Sequence, residues 1–513
     1  MLWKKESSES GERFVDLFES IDEKGRQAVD RLILDEMKVY ETCKGNIVSN
    51  EWRRLGTECF HSENWLQALT YYNRSLRHAE VGSESVALAY TNRSACFFQL
   101  KRYKEAITDI ELALGSANLP AKWIPILKAR KKKCHQILSN LIQLKKNEPK
   151  LSYKSNKNHP YIANVLKIRY TDKDDNHLVA TRDIPVGKTV LLEEDYLSSY
   201  KWEHACETCW VPGEKTSLIP CNECALVTFC STKCQKMNRT HKLECGSVLN
   251  AEHATTNRLI IQSILRAIAT FHNIKSLMEF VGKILLEVSK KLPDSTLDEK
   301  SMYHCFFKLE RDNVLHDEQL PTIYQLYRFI MKMPKVNVMF ETEEKRRFLM
   351  HLVAHHFNIV MEHSYDLRHG KVLPLFTSRL GHSCAANLML IIGNDYQFCI
   401  TCRPVKKGEM LCYSYLPITM PMEKRHAALK LGFKITCKCD DCVLPTLPID
   451  SELITLDTDY RFIMKNYTSN VYCPVERECI EFLNKFGHLW SSEIRSIYII
   501  YLTTTYSLHS AKY

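Results

Sequence analysis

The residues with the clearest chemistry are eight cysteine and histidine side chains between positions 206 and 245. They fall into four pairs whose members are separated by two or three residues: Cys206 and Cys209, Cys221 and Cys224, Cys230 and Cys234, and His241 and Cys245. Such spacings let two side chains reach one ion from a single turn, and a closed structural zinc site takes four such ligands. The segment therefore predicts two zinc ions, whose binding is coupled to the folding of a unit too small to be stable alone.

A second group of thiols consists of Cys437, Cys439 and Cys442. This spacing indicates a further metal site, with ordinary buried cysteines as the alternative. The chain has 513 residues and 21 cysteines, and it begins without an apolar export signal. These features predict reduced thiols that bind metal rather than form disulfides, in a soluble protein of the nucleus and cytoplasm.

The composition is that of an ordinary globular protein with several domains, since 45% of residues are hydrophobic and 25% are charged. The longest apolar run, residues 259–271, is interrupted by Gln262 and Arg266, so it predicts a buried helix and no membrane contact. The net charge is +10, and lysines are concentrated between residues 128 and 157. We interpret this run as a solvated helix and linker rather than a direct nucleic-acid contact, with a nuclear-import or nucleic-acid patch as the alternative.

Strand patterns flank the eight-ligand segment on both sides. Upstream, β-branched residues surround a Pro-Val-Gly turn in His177 to Gly187 and continue in Val190 to Glu194, which predicts strands joined by a tight loop. Downstream, the stretch from Ser378 to Asn387 precedes a predicted strand pair, Leu388 to Ile392 and Phe398 to Cys402. We interpret the two flanks as halves of one β domain that the intervening segment interrupts.

An internal repeat occupies residues 49–140. Small residues such as Gly56 and Ala106 recur where paired helices must approach closely, and large residues such as Trp52 and Phe97 fill the space between them. The pattern resembles the TPR repeat of about 34 residues. An unrelated helical hairpin is the alternative. TPR arrays bind extended C-terminal peptides, so the resemblance implies a peptide partner.

Taken together, these motifs resemble the SET-and-MYND protein family, and in particular its branch that carries TPR repeats. The order of the eight ligands, with Phe229 before the fifth, resembles a MYND finger, whose two sites interleave in that family. The resemblance therefore implies one zinc ion on Cys206, Cys209, Cys230 and Cys234 and another on Cys221, Cys224, His241 and Cys245. It further implies that Cys384 joins Cys437, Cys439 and Cys442 in a post-SET site, which makes three zinc ions.

The resemblance implies a multidomain α+β fold. In chain order we expect a helical lead-in (1–48), an all-α TPR array (49–140), a basic linker (141–160), the first half of a SET β fold (161–205), the MYND zinc finger (206–245), a helical insertion (246–345), the second SET half (346–420), a post-SET segment (421–445) and a short helical C-terminal tail (446–513).

The activity implied is protein-lysine methylation with S-adenosylmethionine as the cofactor. Tyr415 stands at the family's catalytic tyrosine position, where a hydroxyl group orients the lysine amine beside the methyl group. Phe433 stands where an aromatic residue lines the lysine channel, and Ile435 stands where a Phe usually packs on the cofactor. The alternative for Tyr415 is an ordinary core aromatic residue.

The expected cofactor-binding residues are Asp175, Asn176, His177, His355, Gly381, His382, Tyr415 and Ile435. Several depart from the family pattern. The family's Gly-x-Gly stretch is Asp175-Asn176-His177, the Asn of its Asn-His-Ser-Cys motif is Gly381, and that of its Asn-x-Phe motif is His355. Lost hydrogen bonds weaken binding by about 1 kcal/mol each. The departures therefore favour the alternative of a non-catalytic scaffold that binds peptides, while a nucleic-acid-binding regulator is a third hypothesis.

The resemblance also implies the partners. Substrates would be lysine side chains of histone or non-histone proteins. The MYND finger and the TPR array would recruit proline-containing or C-terminal peptides, including those of a corepressor or a histone deacetylase, in transcriptional regulation.

Overall fold

The structure is a computed structural model that describes residues 15–16, 18–38, 43–140, 149–170, 176–200, 205–247, 255–287, 292–309, 317–367, 370–393, 396–443, 451–467 and 475–510. It combines many helices with short strands. The chain divides into two compact units. The first unit comprises residues 1–145, 197–286 and 310–372, and the second comprises residues 146–196, 287–309 and 373–513.

The first unit begins with helices. They are α1 (Glu23–Lys38), α2 (Asn46–His61), α3 (Trp65–His78), α4 (Glu84–Gln99), α5 (Tyr103–Leu114) and α6 (Trp123–Asn140). Gly56 permits close packing of α2 against α3, because a Cβ atom added there would lie 2.6 Å from the ring of Tyr72. The small residue thus stands at a helix contact, as the repeat predicts. The assignment of these helices to a TPR array remains a prediction.

Three strands follow in the second unit. They are β1 (Leu166–Tyr170), β2 (Asn176–Ala180) and β3 (Thr189–Glu194). The first two form an antiparallel hairpin in which Lys167 lies opposite Val179. The next strand, β4 (Leu197–Tyr200), returns the chain to the first unit.

The eight-ligand segment forms a compact module of the first unit. Its elements are β5 (Ile219–Pro220), β6 (Thr228–Phe229), α7 (Thr232–Met237) and α8 (His241–Glu244). Its core is formed largely by the ligands and by Phe229. Arg93 of α4 connects the module to the helical array, since it pairs with Asp109 at 2.6 Å and donates a 2.9 Å hydrogen bond to Ser217. This contact is buried on all sides.

The segment predicted as a helical insertion contains several helices: α9 (Thr255–Thr270), α10 (Ile274–Leu286), α11 (Glu299–Phe307), α12 (Leu320–Lys332) and α13 (Pro334–Asn337). The longer helix α14 (Glu343–His363) follows. Apolar residues make up most of the buried face of α9, as the periodicity predicts, and Arg258, Gln262 and Ser263 are buried with them. In the part of the chain that the structure describes, no helix combines the length and hydrophobicity needed to cross a bilayer.

Two small sheets and one pair of strands complete the β structure. The further strands are β7 (Tyr365–Leu367), β8 (Gly370–Leu373), β9 (Gly381–His382), β10 (Leu388–Ile392), β11 (Tyr396–Thr401) and β12 (Cys412–Tyr413). One sheet has the order β4-β8-β7, and the other, in the second unit, has the order β10-β11-β3. The predicted strand pair is therefore present, and β3 from upstream of the metal-binding module extends it. The parallel pair of β9 and β12 positions the residues around Gly381.

The second unit ends with helices. They are α15 (Met422–Phe433), α16 (Asp440–Val443), α17 (Ser451–Leu456), α18 (Thr458–Asn466), α19 (Glu476–Phe486) and α20 (Ser492–Ser510). Apolar side chains of the last two helices pack against β10 and β11, and this forms the main core of the unit.

Candidate metal centres and candidate active site

The first group of metal-binding residues consists of Cys206, Cys209, Cys230 and Cys234, whose sulfur atoms all lie within 4.8 Å of one another. The sulfur of Cys230 is 3.5 Å from that of Cys209 and 3.4 Å from that of Cys234. Thiolates about 2.3 Å from a zinc ion lie about 3.8 Å apart at the corners of a tetrahedron, so the arrangement fits zinc. Ser231 positions the last ligand, since its hydroxyl caps α7 and accepts a hydrogen bond from the amide of Cys234.

The second group consists of Cys221, Cys224, His241 and Cys245. Nε2 of His241 lies 3.3 Å from the sulfur of Cys221 and 3.7 Å from that of Cys224. The backbone amide of His241 donates a 2.9 Å hydrogen bond to the side chain of Asn238, which fixes the first turn of α8. The imidazole therefore approaches the thiols through Nε2, which is a usual zinc-binding atom.

The third group consists of Cys384, Cys437, Cys439 and Cys442, in the second unit. The sulfur of Cys442 lies 3.6 Å from that of Cys384. The fold thus brings Cys384, which is distant in sequence, to the three clustered thiols. All three groups are those that the family resemblance implies.

The chemistry of these donors fits zinc. Thiolate is the form of cysteine that binds a metal ion. Hydrogen bonding within each group stabilises one thiolate: a hydrogen bond with Cys209 lowers the pKa of Cys206 to about 2, and one with Cys384 lowers the pKa of Cys439 to about 3. The same hydrogen bonds raise the pKa of Cys209 and of Cys384, so a bound cation has to displace the protons of these neighbouring thiols.

Tyr415 lies just after β12 and is half-buried. Its hydroxyl donates a 2.7 Å hydrogen bond to the carbonyl oxygen of Leu380. Its ring centroid lies 4.9 Å from that of Tyr413 and 5.1 Å from that of Phe433. We call these three side chains the aromatic cluster. Because Phe433 is 46% exposed, the cluster opens to solvent on one side.

His382 connects Tyr415 to the third metal group. Its Nδ1 accepts a 3.0 Å hydrogen bond from the backbone amide of Tyr415, and its Nε2 lies 3.4 Å from the sulfur of Cys384. Burial lowers the pKa of His382, which favours the neutral imidazole that can accept this hydrogen bond. Ile435 packs beside the same thiols and Tyr415. The third metal group and the aromatic cluster are therefore connected through His382.

Gly381 lies on β9 opposite Cys412 of β12. A Cβ atom added to Gly381 would meet only the terminal methyl group of Met410, at 3.4 Å. This methyl group ends a flexible side chain and can yield. The space beside Gly381 is thus open enough for a side chain or for part of a bound ligand.

The amino-acid sequence of the chain is similar to those of several known proteins. Residues 206–245 match the model of the MYND finger. The chain is 22% identical over 280 residues to "Protein-lysine N-methyltransferase SMYD4" of Danio rerio, covering 47% of this chain and 36% of the relative. It is 25% identical over 287 residues to "SET domain and MYND-type zinc finger protein 6" of Schizosaccharomyces pombe, covering 55% and 52%. It is 22% identical over 256 residues to "Histone-lysine N-methyltransferase SMYD3" of Mus musculus, covering 49% and 54%.

The chain is similar to members of the SET and MYND domain-containing family. The matches span about a third to a half of the length of these curated relatives. The activity, substrate and partners of the whole protein are therefore matters for a proposal.

The remaining cofactor-binding residues expected from the family resemblance are less closely defined. Asp175 lies outside the described residues, and Asn176 begins β2 with a side chain that also lies outside them. His177 is half-buried on β2, opposite Arg169. His355 lies on α14 of the first unit. The structure thus brings together Gly381, His382, Tyr415, Phe433 and Ile435, and the roles of the other residues remain predictions.

Asn387 is a buried residue near the site to which the sequence reasoning gave no role. Its amide nitrogen donates 2.9 Å hydrogen bonds to the Glu409 side chain and to the carbonyl of Met410. Its amide oxygen accepts a 3.0 Å hydrogen bond from the backbone of Cys412. Asn387 thereby holds the strand that leads to Tyr415. In the sequence, the one indication of this role is that Asn387 comes just before a predicted strand.

Glu193 of β3 holds the turn that precedes Gly381. Its carboxylate accepts hydrogen bonds from the amides of Leu375 at 3.1 Å, Phe376 at 2.9 Å and Thr377 at 2.5 Å, and from the Thr377 hydroxyl. Burial raises the pKa of Glu193, and these donors oppose that effect. The sequence separation of more than 180 residues leaves no local signal for this contact.

Asp441 anchors the loop that carries the third metal group. It pairs with the buried guanidinium of Arg425 and accepts hydrogen bonds from Arg495 at 2.9 Å and from Trp490 at 3.2 Å. These residues come from α15 and from the end of the chain. Asp441 therefore holds α16, the short helix that carries Cys442, against the other helices at the end of the second unit.

Proposed function

We propose that this SET-and-MYND protein is a protein-lysine N-methyltransferase that uses S-adenosylmethionine. The observation that carries the proposal is the hydroxyl of Tyr415, which belongs to the aromatic cluster and is held by a hydrogen bond to the carbonyl of Leu380. The printed names of the zebrafish and mouse relatives, which describe lysine methyltransferases, support the same reaction.

The side chains of the aromatic cluster suit a lysine substrate. A free lysine amine has a pKa of about 10.4, and the reaction requires the neutral form. Phe433 and Tyr413 present apolar rings that would displace water from an entering amine and favour its neutral form. The proton leaves to solvent as the amine enters. The Tyr415 oxygen then accepts a hydrogen bond from the amine and directs its lone pair, which supplies rate through orientation.

Gly381, His382 and Ile435 would hold the cofactor. The open space beside Gly381, which a Cβ atom would enter without meeting backbone, supports this assignment. When bound, S-adenosylmethionine supplies an electrophilic methyl group on its sulfonium. His382 keeps Tyr415 in position through the hydrogen bond from its backbone amide.

The metal-binding module and the helical array would recruit the substrates. We propose protein substrates, histone or non-histone, in the nucleus and cytoplasm, with the MYND finger and the helices of residues 46–140 binding peptide segments of substrates or corepressors. The finger is joined to the helices through the buried Arg93, Asp109 and Ser217 contact, which supports a single recruiting surface.

The direct test is a methyl-transfer assay with isotopically labelled S-adenosylmethionine, zinc-loaded protein and a library of histone and non-histone peptides. The native protein should label lysine-containing peptides, and replacement of the target lysine by arginine should abolish the label. Equal labelling of the arginine peptides would contradict lysine as the acceptor. Absence of labelling across the library, together with measurable cofactor binding, would restrict the proposal to substrates outside the library.

A second candidate function is a non-catalytic scaffold. The glycine at position 381, in place of the family's asparagine, favours it because a hydrogen-bonding amide is missing beside the open space. A scaffold would bind peptides through the finger and the helical array and would not bind S-adenosylmethionine. Cofactor binding by the native protein therefore separates the two candidates.

A further inference from the structure

A basic surface surrounds the β1–β2 hairpin of the second unit. Residues 149–170 contain five basic side chains and no acidic one, and residues 176–182 add Arg182. The five are Lys150, Lys154, Lys157, Lys167 and Arg169. All six are exposed. From the sequence alone we interpret the lysines as a solvated linker, but the fold gathers several of them onto one surface.

Backbone hydrogen bonds connect this segment to the hairpin. The amide of Asn164 donates to the carbonyl of Lys154 at 2.8 Å, and the amide of Thr181 donates to the carbonyl of Val165 at 2.8 Å. Lys154 and Arg182, which follows Thr181, thus lie close to the start of β1. The positive charges are fixed by β structure rather than carried on a loose chain.

The centre of the surface is a cleft of about 290 Å³. Lys167, Arg169 and Lys407 line it. The amide of Gly408 donates a 2.8 Å hydrogen bond to the carbonyl of Ala180, which brings Lys407 beside the hairpin. Lys167 and Arg169 are two residues apart on one face of β1, so their Cα atoms are about 6.7 Å apart. Three of the residues that line the cleft therefore carry cationic side chains.

Two acidic groups near the cleft already have partners, whereas Asp172, Asp174 and Asp175, in the segment between β1 and β2, lie outside the described residues. Asp183 pairs with Lys406 at 3.2 Å and accepts a 2.8 Å hydrogen bond from the amide of Lys407. Glu409 accepts hydrogen bonds from the side chain of Asn387 and the amide of Lys406. In the described part of the second unit, no carboxylate forms an ion pair with Lys167, Arg169 or the Lys407 ammonium. Among the described residues, these cations are therefore not neutralised by a carboxylate.

An aromatic platform lies at the edge of the surface. The guanidinium of Arg182 stacks on the ring of Tyr153, 4.8 Å from its centroid. Arg182 is an exposed residue. Planar guanidinium groups and aromatic rings are the surfaces on which unpaired bases stack in complexes with single-stranded nucleic acid.

We propose that this surface, formed by Lys154, Lys167, Arg169, Arg182 and Lys407, binds single-stranded nucleic acid. The cleft residues would contact successive phosphates and Arg182 would stack on a base. Repeated cations explain attraction to any polyanion, but the stacked Arg182 and Tyr153 pair favours a ligand with planar bases over an acidic peptide. The inference goes beyond methyl transfer and does not depend on it.

The test is fluorescence anisotropy of the zinc-loaded full chain with labelled RNA and DNA single strands of about 20 nucleotides, over a range of salt concentrations. We compare the native protein with Lys167→Gln/Arg169→Gln. The matched control is Lys424→Gln/Lys430→Gln, which removes two exposed charges from α15 of the same unit.

The native protein should bind with an affinity that falls steeply with salt. The cleft variant should bind about tenfold more weakly and with a salt slope reduced by about 1.4, since each phosphate contact on a single strand contributes about 0.7. The control should stay within about twofold of the native affinity. Whichever of the RNA and DNA strands binds more tightly identifies the natural ligand as RNA or DNA. Equal losses in both variants, a flat salt response, or tighter binding of poly-glutamate than of either oligonucleotide would overturn the proposal.

Discussion

The hydroxyl of Tyr415 donates a 2.7 Å hydrogen bond to the carbonyl oxygen of Leu380, the residue immediately before Gly381. This bond joins the expected catalytic residue to the strand that carries the most informative departure from the family pattern. His382, one residue further on, holds the backbone of Tyr415 and contacts Cys384. The position of the Tyr415 hydroxyl, on which the proposed reaction depends, is therefore linked through His382 to the zinc ligand Cys384.

Replacing Tyr415 by Phe should reduce methyl transfer by about 100-fold or more, because it removes one positioned polar group at the reacting centre. The fold should persist, since the loss of one hydrogen bond costs about 1 kcal/mol. Turnover of labelled cofactor and the thermal midpoint are measured together. Tyr413→Phe, which alters the neighbouring ring of the aromatic cluster, is the control and should retain most activity. Equal effects of the two substitutions would contradict the role of Tyr415.

The three groups of ligands predict three zinc ions per chain, measured by atomic absorption on protein purified without added metal. Cys437→Ser should reduce the content by one ion, because a three-ligand site loses much of its affinity. Cys43→Ser changes an exposed cysteine outside the groups and should leave the content unchanged. A zinc content that is the same in both variants would refute the third site.

Asp441→Ala should destabilise the second unit by about 3 kcal/mol, because it leaves the buried guanidinium of Arg425 without its carboxylate. The loop between Cys439 and Cys442 should also release zinc faster to a chelator. Denaturant unfolding and the rate of zinc transfer to a colorimetric chelator measure the two effects. Asp440→Ala removes the adjacent carboxylate, which pairs with Arg403 at 3.3 Å and is half exposed, and should cost less than about 1 kcal/mol. A similar cost for both would show that burial of the pair contributes little.

His356 predicts a dependence of stability on pH. It is fully buried and lies 2.8 Å from the Ser263 hydroxyl, and burial lowers its pKa well below the usual value. The unfolded chain therefore binds a proton below about pH 6.5 that the folded protein does not. Its contribution to the free energy of unfolding is intact above that pH and declines as the pH falls further, by up to about 1.4 kcal/mol per pH unit.

Urea unfolding of the native protein and of His356→Gln between pH 7.5 and 5 measures this contribution. The variant is expected to be less stable at pH 7.5 and to lose stability less steeply below pH 6.5. Parallel slopes in the two proteins would assign the acid sensitivity to other groups.

The sequence predicts those features that depend on spacing. Four pairs of ligands with short gaps indicate metal binding whatever the fold, and the helix of residues 255–270 follows from apolar periodicity. The grouping of Cys384 with Cys437 came from family resemblance, because no local rule connects residues so far apart. The same holds for the interleaved pairing of the finger.

The contacts that fix the site could not be predicted. The hydrogen bonds of Glu193 to residues 375–377 and of Asn387 to Cys412 join residues through the tertiary fold. A glutamate in a strand and an asparagine before one have many solvated roles in other proteins. Only burial, which the fold decides, distinguishes these positions. The basic surface at Lys167 and Lys407 is a similar case, since it unites a strand and a turn that are distant in sequence.

The most direct test of the central claim is isothermal titration calorimetry of zinc-loaded protein with S-adenosylmethionine, for the native chain and for Gly381→Asn. The space beside Gly381 accepts a side chain with a small shift of Met410, so the variant should fold normally. We predict saturable binding to the native protein and binding about tenfold tighter to the variant, which regains one amide hydrogen bond of somewhat more than 1 kcal/mol. Absence of binding to both proteins, at a zinc content of three ions per chain, would contradict a cofactor-dependent methyltransferase and leave the scaffold function.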